Sequence, residues 1–360
     1  MAVQVCQGAG IHSYGHYNEG GNKSHIFLLI LLTWEKFPPI ILSMHKPPSL
    51  FTLPNGHTLS WGEYGDPRGF PVVYFADLGG TRLEAALFHE QAKECGLRLL
   101  AIDRPGLGRS DFLALSSHYD IVPVLKPLLA HLQIARFALL ARGAGAGYAA
   151  AVAHRMPTQV TALSLISPQT VDNTQGSWTV RSLRALSRCM CRFGISLRDT
   201  SRRSQSVRLQ RLRDECSDAD RKVLQQPRVI DVLLTDAAEG VLHGKKGLNQ
   251  DLKLAWRDWL GNIDALTIPV RLWQTSEEGG AAFTRSLLMG KVEDLKVSQL
   301  GARGSYYFVR QAGSIMLGLF RTIKCTQSVS GIAALSATSA SGSAMSANSR
   351  PGSEVRLGSG

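Results

Sequence analysis

The sequence predicts an α/β protein, a doubly wound and mostly parallel sheet interrupted by a helical insertion. Three observations predict it. Short apolar runs suited to buried strands alternate with helical patterns between Leu50 and Pro168. The same alternation returns between about residues 267 and 322. Between the two, from about 171 to 262, the chain is Arg-rich and helical in pattern, with no strand-like run.

Each element has its own signal. Leu53-Pro-Asn-Gly-His57 reads as a turn, and Thr58 to Tyr64 alternates like an edge strand. Pro71 to Phe75 is a short apolar run, as a buried parallel strand requires. Leu83 to Cys95 is helical in pattern, and Arg98 to Asp103 is the next strand. Tyr119 to Leu132 reads as an amphipathic helix, and Phe137 to Ala141 as a strand. Gly145 to Arg155 is small and Ala-rich, which suits a helix packed tightly on a sheet; Val160 to Ile166 is a further strand. After the insertion come strands at Ile268 to Trp273 and Leu295 to Leu300, a helix at Phe283 to Met289, and a closing helix from Tyr307 to Phe320.

The segments follow as 1–49, an N-terminal extension; 50–170, the first part of the core; 171–262, the helical insertion; 263–325, the second part of the core; and 326–360, a Ser/Ala/Gly-rich tail expected to lack structure. Ile26 to Trp34 is nearly all apolar but too short for a spanning helix. Residues 26–43 therefore read as a membrane-associating leader or as an unstructured extension. The six cysteines are scattered without zinc-site spacing, so they read as thiols in a reducing, cytoplasmic compartment. Neither a metal site nor a cofactor is expected.

The motifs together resemble the α/β-hydrolase superfamily, esterase and epoxide-hydrolase-like branch. The resemblance runs from about residue 50 to 322. It is carried by Asn55-Gly-His-Thr-Leu59, Gly65-Asp-Pro67, Pro71-Val-Val-Tyr-Phe75, Asp103-Arg-Pro-Gly-Leu-Gly-Arg-Ser-Asp111, Val160 to Pro168, Ile268-Pro-Val-Arg-Leu-Trp-Gln274, and Ser217 to Leu224 in the insertion. It implies a hydrolase core with a helical cap, and catalysis by a serine on a sharp strand-to-helix turn, Gly-x-Ser-x-Gly.

Measured against that pattern, the chemistry is broken. The turn reads Ala141-Arg-Gly-Ala-Gly145, so the nucleophile position holds Gly143. The oxyanion loop, His-Gly in much of the family, is Ala76-Asp77, and a carboxylate there opposes the charge such a loop exists to stabilise. Glu277 or Glu278 fills the acid position, and Ser305 stands where the family has histidine. Independently of any alignment, no histidine follows His243, so the order Ser…Asp/Glu…His cannot be completed. Losing serine or histidine alone costs such an enzyme about a millionfold in rate. Substitution by His243 or by His118 has no support in the sequence.

Asp77, Arg142, Gly143, Ala144 and Glu278 remain as ligand-binding candidates. Backbone N–H groups at the start of the Gly145 helix, beside Arg142, could hold a carboxylate or phosphate. Gly143-Ala-Gly-Ala-Gly147 lacks the spacing and the following acid of a dinucleotide loop.

The net charge is +12. Arg181, Arg184, Arg188 and Arg192 recur at helical spacing, followed by Arg202, Arg203, Arg208, Arg211 and Arg213. They suit an anionic membrane surface, an acidic protein partner, or simply a solvated face. Without interleaved aromatics they do not suggest nucleic acid.

The reading is a non-hydrolytic protein that binds a small apolar or amphipathic molecule or a partner. The alternative is an enzyme without a covalent nucleophile, thioesterase-like or a lyase, isomerase or cyclase of specialised metabolism. It would use Asp77, Glu277 or Glu278 for proton transfer.

Overall fold

The computed structural model describes residues 47–168, 218–260, 266–274, 285–286, 288–300 and 306–345. The chain divides into units 1–45 and 46–360, and only the second contains described residues. Residues 26–43, the arginines from Arg181 to Arg213, Glu277, Glu278 and Ser305 lie outside the described residues.

Eight strands form one sheet. In chain order the described elements are β1 (Ser49–Thr52), β2 (Thr58–Gly65), β3 (Phe70–Phe75), a 3-10 turn (Arg82–Phe88) running into α1 (His89–Glu94), β4 (Leu97–Ile102), α2 (Ile121–His131), β5 (Phe137–Arg142), α3 (Gly145–Arg155) and β6 (Val160–Ile166). Three helices then precede the last strands: α4 (Asp218–Val223), α5 (Pro227–Glu239) and α6 (Lys246–Ala255). β7 (Val270–Gln274), β8 (Leu295–Gln299) and α7 (Ala312–Met345) close the chain.

The sheet order is β1-β2-β4-β3-β5-β6-β7-β8. β2 runs antiparallel to both neighbours, and every pairing from β4 to β8 is parallel. After β3 the chain steps to one side for β4, and then to the other side of β3 for β5. The carboxyl ends of β3 and β5 therefore flank the topological switch point, where open α/β sheets hold ligands. Phe75 pairs with Ala141. Two residues further along each strand direction come Asp77 and Gly143.

Strand alternation builds a core on each face of the sheet. Val73 and Phe75 join Leu139, Ala141 and the buried side of α2 and α3. Val72 and Tyr74 join Leu140 and Ile315, Met316 and Leu319 of α7. Residues 145–153 of α3 are all buried, and small side chains let that helix lie close to the strands.

Two expectations need correction. β2 is not the edge strand: β1 pairs outside it, Ser49 opposite Trp61, across the tight Leu53–His57 turn. The closing helix does not stop near Phe320 but runs to Met345, through residues read as unstructured tail. Its alanines are the strongest helix formers and no proline interrupts it, so the helix started by apolar packing continues.

Carboxylates join the inserted helices to the core. Asp251 of α6 accepts from Arg104 Nε at 3.0 Å and Nη2 at 2.7 Å, from the Tyr148 hydroxyl at 2.9 Å and from the Gly79 amide at 2.7 Å. Asp236 of α5 accepts from the amide and the hydroxyl of Thr81, both at 2.7 Å. Glu239 pairs with Arg82. Burial opposes the Arg104 charge, yet the Asp251 carboxylate outweighs it and the guanidinium titrates above its ordinary range. Removing one partner of such a buried pair strands the other. Asp251→Ala should therefore lower unfolding free energy by about 3–5 kcal/mol in urea titrations. Asp218→Ala, which breaks an exposed pair with Arg221, should cause no measurable change.

Candidate functional site

At the switch point β5 ends in Arg142, and a single turn leads into α3. Gly143 makes that turn with φ +51°, a left-handed conformation that glycine adopts without the strain a side chain would bring. The strand-to-helix turn, the elbow, is thus made by backbone alone, with no side chain at its tip.

The space above the tip is filled by Asp77. A Cβ added to Gly143 would overlap Oδ1 and Cγ of Asp77 and stand 2.9 Å from Oδ2. Asp77 Oδ1 accepts from the Ala144 amide at 3.0 Å and from the Leu78 amide at 2.7 Å. In acyl-transfer enzymes of this fold the oxyanion is held by the amide after the nucleophile together with one from the loop after β3. Ala144 follows position 143, and Leu78 lies in the loop after β3. In this chain both amides are held by the Asp77 carboxylate.

Charge around the carboxylate keeps it there. Arg142 Nη1 lies 3.2 Å from Asp77 Oδ2. The other edge of the guanidinium holds Glu84, Nε to Oε1 at 3.1 Å and Nη2 to Oε2 at 2.7 Å. Glu84 is fully buried and also accepts from the Tyr74 hydroxyl and the Asp77 amide. The face of Arg142 rests on the Phe308 ring, 4.8 Å from its centroid. Burial works against the charge on Arg142, but Glu84 and then Asp77 more than offset it, and its pKa lies well above the ordinary value. Burial, reinforced by Glu84, likewise pushes the Tyr74 phenol upward. On the opposite side Arg104 donates to the carbonyl oxygens of Ala76 at 2.6 Å and Asp77 at 2.9 Å, fixing the loop from behind.

Of the residues singled out from sequence, Ala76, Asp77, Arg142, Gly143 and Ala144 meet at this one point. The donors reserved for a ligand, Arg142 and the Ala144 amide, are occupied by the protein's own carboxylates. Glu84, Arg104, Tyr148 and Asp251 were not anticipated. Arg104 and Asp251 belong to stretches that read as loop and insert, and nothing local marks their pairing. His243 is exposed. His118 is buried edge-on against Tyr148 with ring centroids 4.9 Å apart, and its Nε2 has no hydrogen-bond partner. Among the described residues no group of three His, Cys, Asp or Glu could hold a metal ion. No helix among them is long and apolar enough to cross a membrane.

No family model matches the sequence. The chain is 34% identical over 113 residues to the dihydrolipoyllysine-residue acetyltransferase component of the acetoin cleaving system of Pseudomonas putida. That stretch is 31% of this chain and 30% of the curated relative. Solved structures align over most of the chain. An enol-lactonase from Burkholderia xenovorans LB400 aligns at TM-score 0.56 and 15% identity, covering 77% of this chain and 100% of that one. A proline iminopeptidase from Mycobacterium smegmatis gives 0.55 and 16%, covering 78% and 100%. A thermophilic esterase from Thermogutta terrifontis gives 0.56 and 15%, covering 78% and 99%. The chain has the α/β-hydrolase fold.

Two measurements check the site. Gly143→Ser should cost about 1–3 kcal/mol through overpacking against Asp77, plus ~1–2 kcal/mol for a side chain in left-handed backbone. Asp77→Ala in the same chain should recover the overpacking part, a coupling above about 1 kcal/mol in a urea double-mutant cycle. Separately, burial pushes the His118 imidazole down to about 4 from its ordinary 6.5, with Asp251 opposing and Arg104 and Arg257 reinforcing. The unfolded chain therefore binds this proton first. The stability His118 contributes is present above 6.5 and lost as pH falls from 6.5 toward 4. His118→Gln should make the slope of stability against pH shallower across that window, by up to ~1.4 kcal/mol per pH unit.

Proposed function

We propose that this protein is a non-hydrolytic member of its fold, which acts by binding and whose catalytic elbow is closed by its own carboxylate. One observation carries the reading: the Asp77 oxygen held by the Ala144 and Leu78 amides sits where a nucleophile and an oxyanion would have to meet. An ester carbonyl would find no hydroxyl at position 143. It would also meet a negative charge in place of donors. The buried pairs that hold α5 and α6 against the loop after β3 support the same conclusion, since they fix the roof over the elbow.

The contacts of Asp77 also weigh against a proton-transfer role for it. One carboxylate oxygen accepts from two amides and the other pairs with Arg142, so Asp77 would have to share or give up these donors to act on a substrate. The bound molecule is proposed to be small and apolar or amphipathic.

The test is a serine-directed fluorophosphonate probe and an ester panel on the full chain. No label and no turnover are expected from the native protein, nor from Gly143→Ser, Ser305→His while Asp77 remains. Adding Asp77→Gly to that double variant should open the elbow to the probe. Turnover by the native chain that disappears in Asp77→Asn would contradict the proposal.

A further inference from the structure

A cavity of about 350 Å3 lies apart from the elbow, between the loop that follows β4 and the outer side of α6. That is within the size range of small-molecule sites. One wall is Phe112 and Leu115, and Phe112 is 42% exposed, unusual for a large apolar side chain. Leu254 forms the floor. The wall is fixed by Gln250, whose Oε1 accepts from the Leu115 amide at 2.8 Å and whose Nε2 donates to the Leu113 carbonyl at 3.0 Å.

The rim is cationic. Lys246, Lys253 and Arg257 line the cavity and stand seven and four residues apart, a spacing that gathers them on one side of α6 and its end. None of the three makes an ion pair among the described residues, and like charges so placed repel. Three acids of the surrounding segments are held by other groups. Asp251 points the other way, into Arg104 and Tyr148; Asp120 accepts from Ser116 and Ser117; Asp111 accepts from the Thr58 amide. Arg257 also lines a second, smaller cavity of about 40 Å3, where the buried His118 Nε2 lacks a partner. Positive charge and a polar atom thus converge at one end of an apolar cleft, with no ion-pair partner among the described residues.

We propose that this cleft is the binding site for a small amphipathic anion. The anionic head lies at Lys253 and Arg257, and the hydrocarbon part covers Phe112, Leu115 and Leu254. The inference deepens the reading of the protein as a binder and moves the ligand from the closed elbow to the flank of α6.

Octanoate is the probe, titrated calorimetrically into the full chain. Octanamide tests the head charge, and acetate the tail. Binding of octanoate is expected, with octanamide and acetate at least tenfold weaker. Lys253→Gln, Arg257→Gln should weaken octanoate at least tenfold. Both residues are exposed, so the variant should keep the native circular dichroism spectrum. Lys222→Gln, an exposed lysine on α4, should bind as the native chain does. No heat at millimolar octanoate, equal affinity for octanoate and octanamide, or an unchanged affinity in the Lys253/Arg257 variant would overturn the site. Those failures leave the closed elbow standing, which labelling of the native chain by the fluorophosphonate would overturn instead.

Discussion

A carboxylate drawn partly out of solvent needs hydrogen-bond donors from the protein, and Asp77, its side chain 22% exposed, finds them at the turn after β5. Two amides and a guanidinium supply what water would have supplied. That satisfaction is available only because position 143 is glycine. A Cβ and a carboxylate cannot share the space, so Asp77 keeps this position only beside a glycine. The left-handed turn of the elbow survives because glycine needs no compensation to adopt it.

The surrounding charges form a layered arrangement. Arg142 is clamped between Glu84 and Asp77, and Arg104 ties the carbonyls of Ala76 and Asp77 to Asp251 of the insert. Each guanidinium joins elements distant in sequence, and each is buried with its hydrogen-bond partners in place. Such networks fix geometry more than they add stability, because desolvation offsets most of the attraction. The consequence here is positional: α5 and α6 are pinned to the loop beneath them by Asp236 and Asp251.

Much of the fold was legible because strands announce themselves locally. The apolar runs at Pro71 to Phe75, Phe137 to Ala141 and Val160 to Ile166 carried the sheet. Gly143 was singled out from the sequence pattern, and it makes the turn after β5 with φ +51°. The position of β2 was misread because β1, four residues long and largely exposed, has no strong pattern of its own. The length of the last helix was misread because Ser and Gly among its residues suggested disorder, whereas the alanines among them sustain a helix already begun. The site was half legible. Asp77 was singled out, but its bond to the Ala144 amide was not, because that partner lies 67 residues away. Asp251 and Arg104, 147 residues apart, left no trace in any local period. Pairings of that range are decided by topology, which brings loop ends together only after the sheet is formed.

Closure of the elbow turns on one oxygen atom. A crystal structure of the native chain gives its position directly, with the Ala144 amide nitrogen as reference. Asp77 Oδ1 is expected 3.0 Å from that nitrogen, with its second oxygen on Arg142. An Asp77 side chain turned out to solvent, with water or a ligand on the Ala144 amide in its stead, would show that the elbow is open and that the closure described above is wrong.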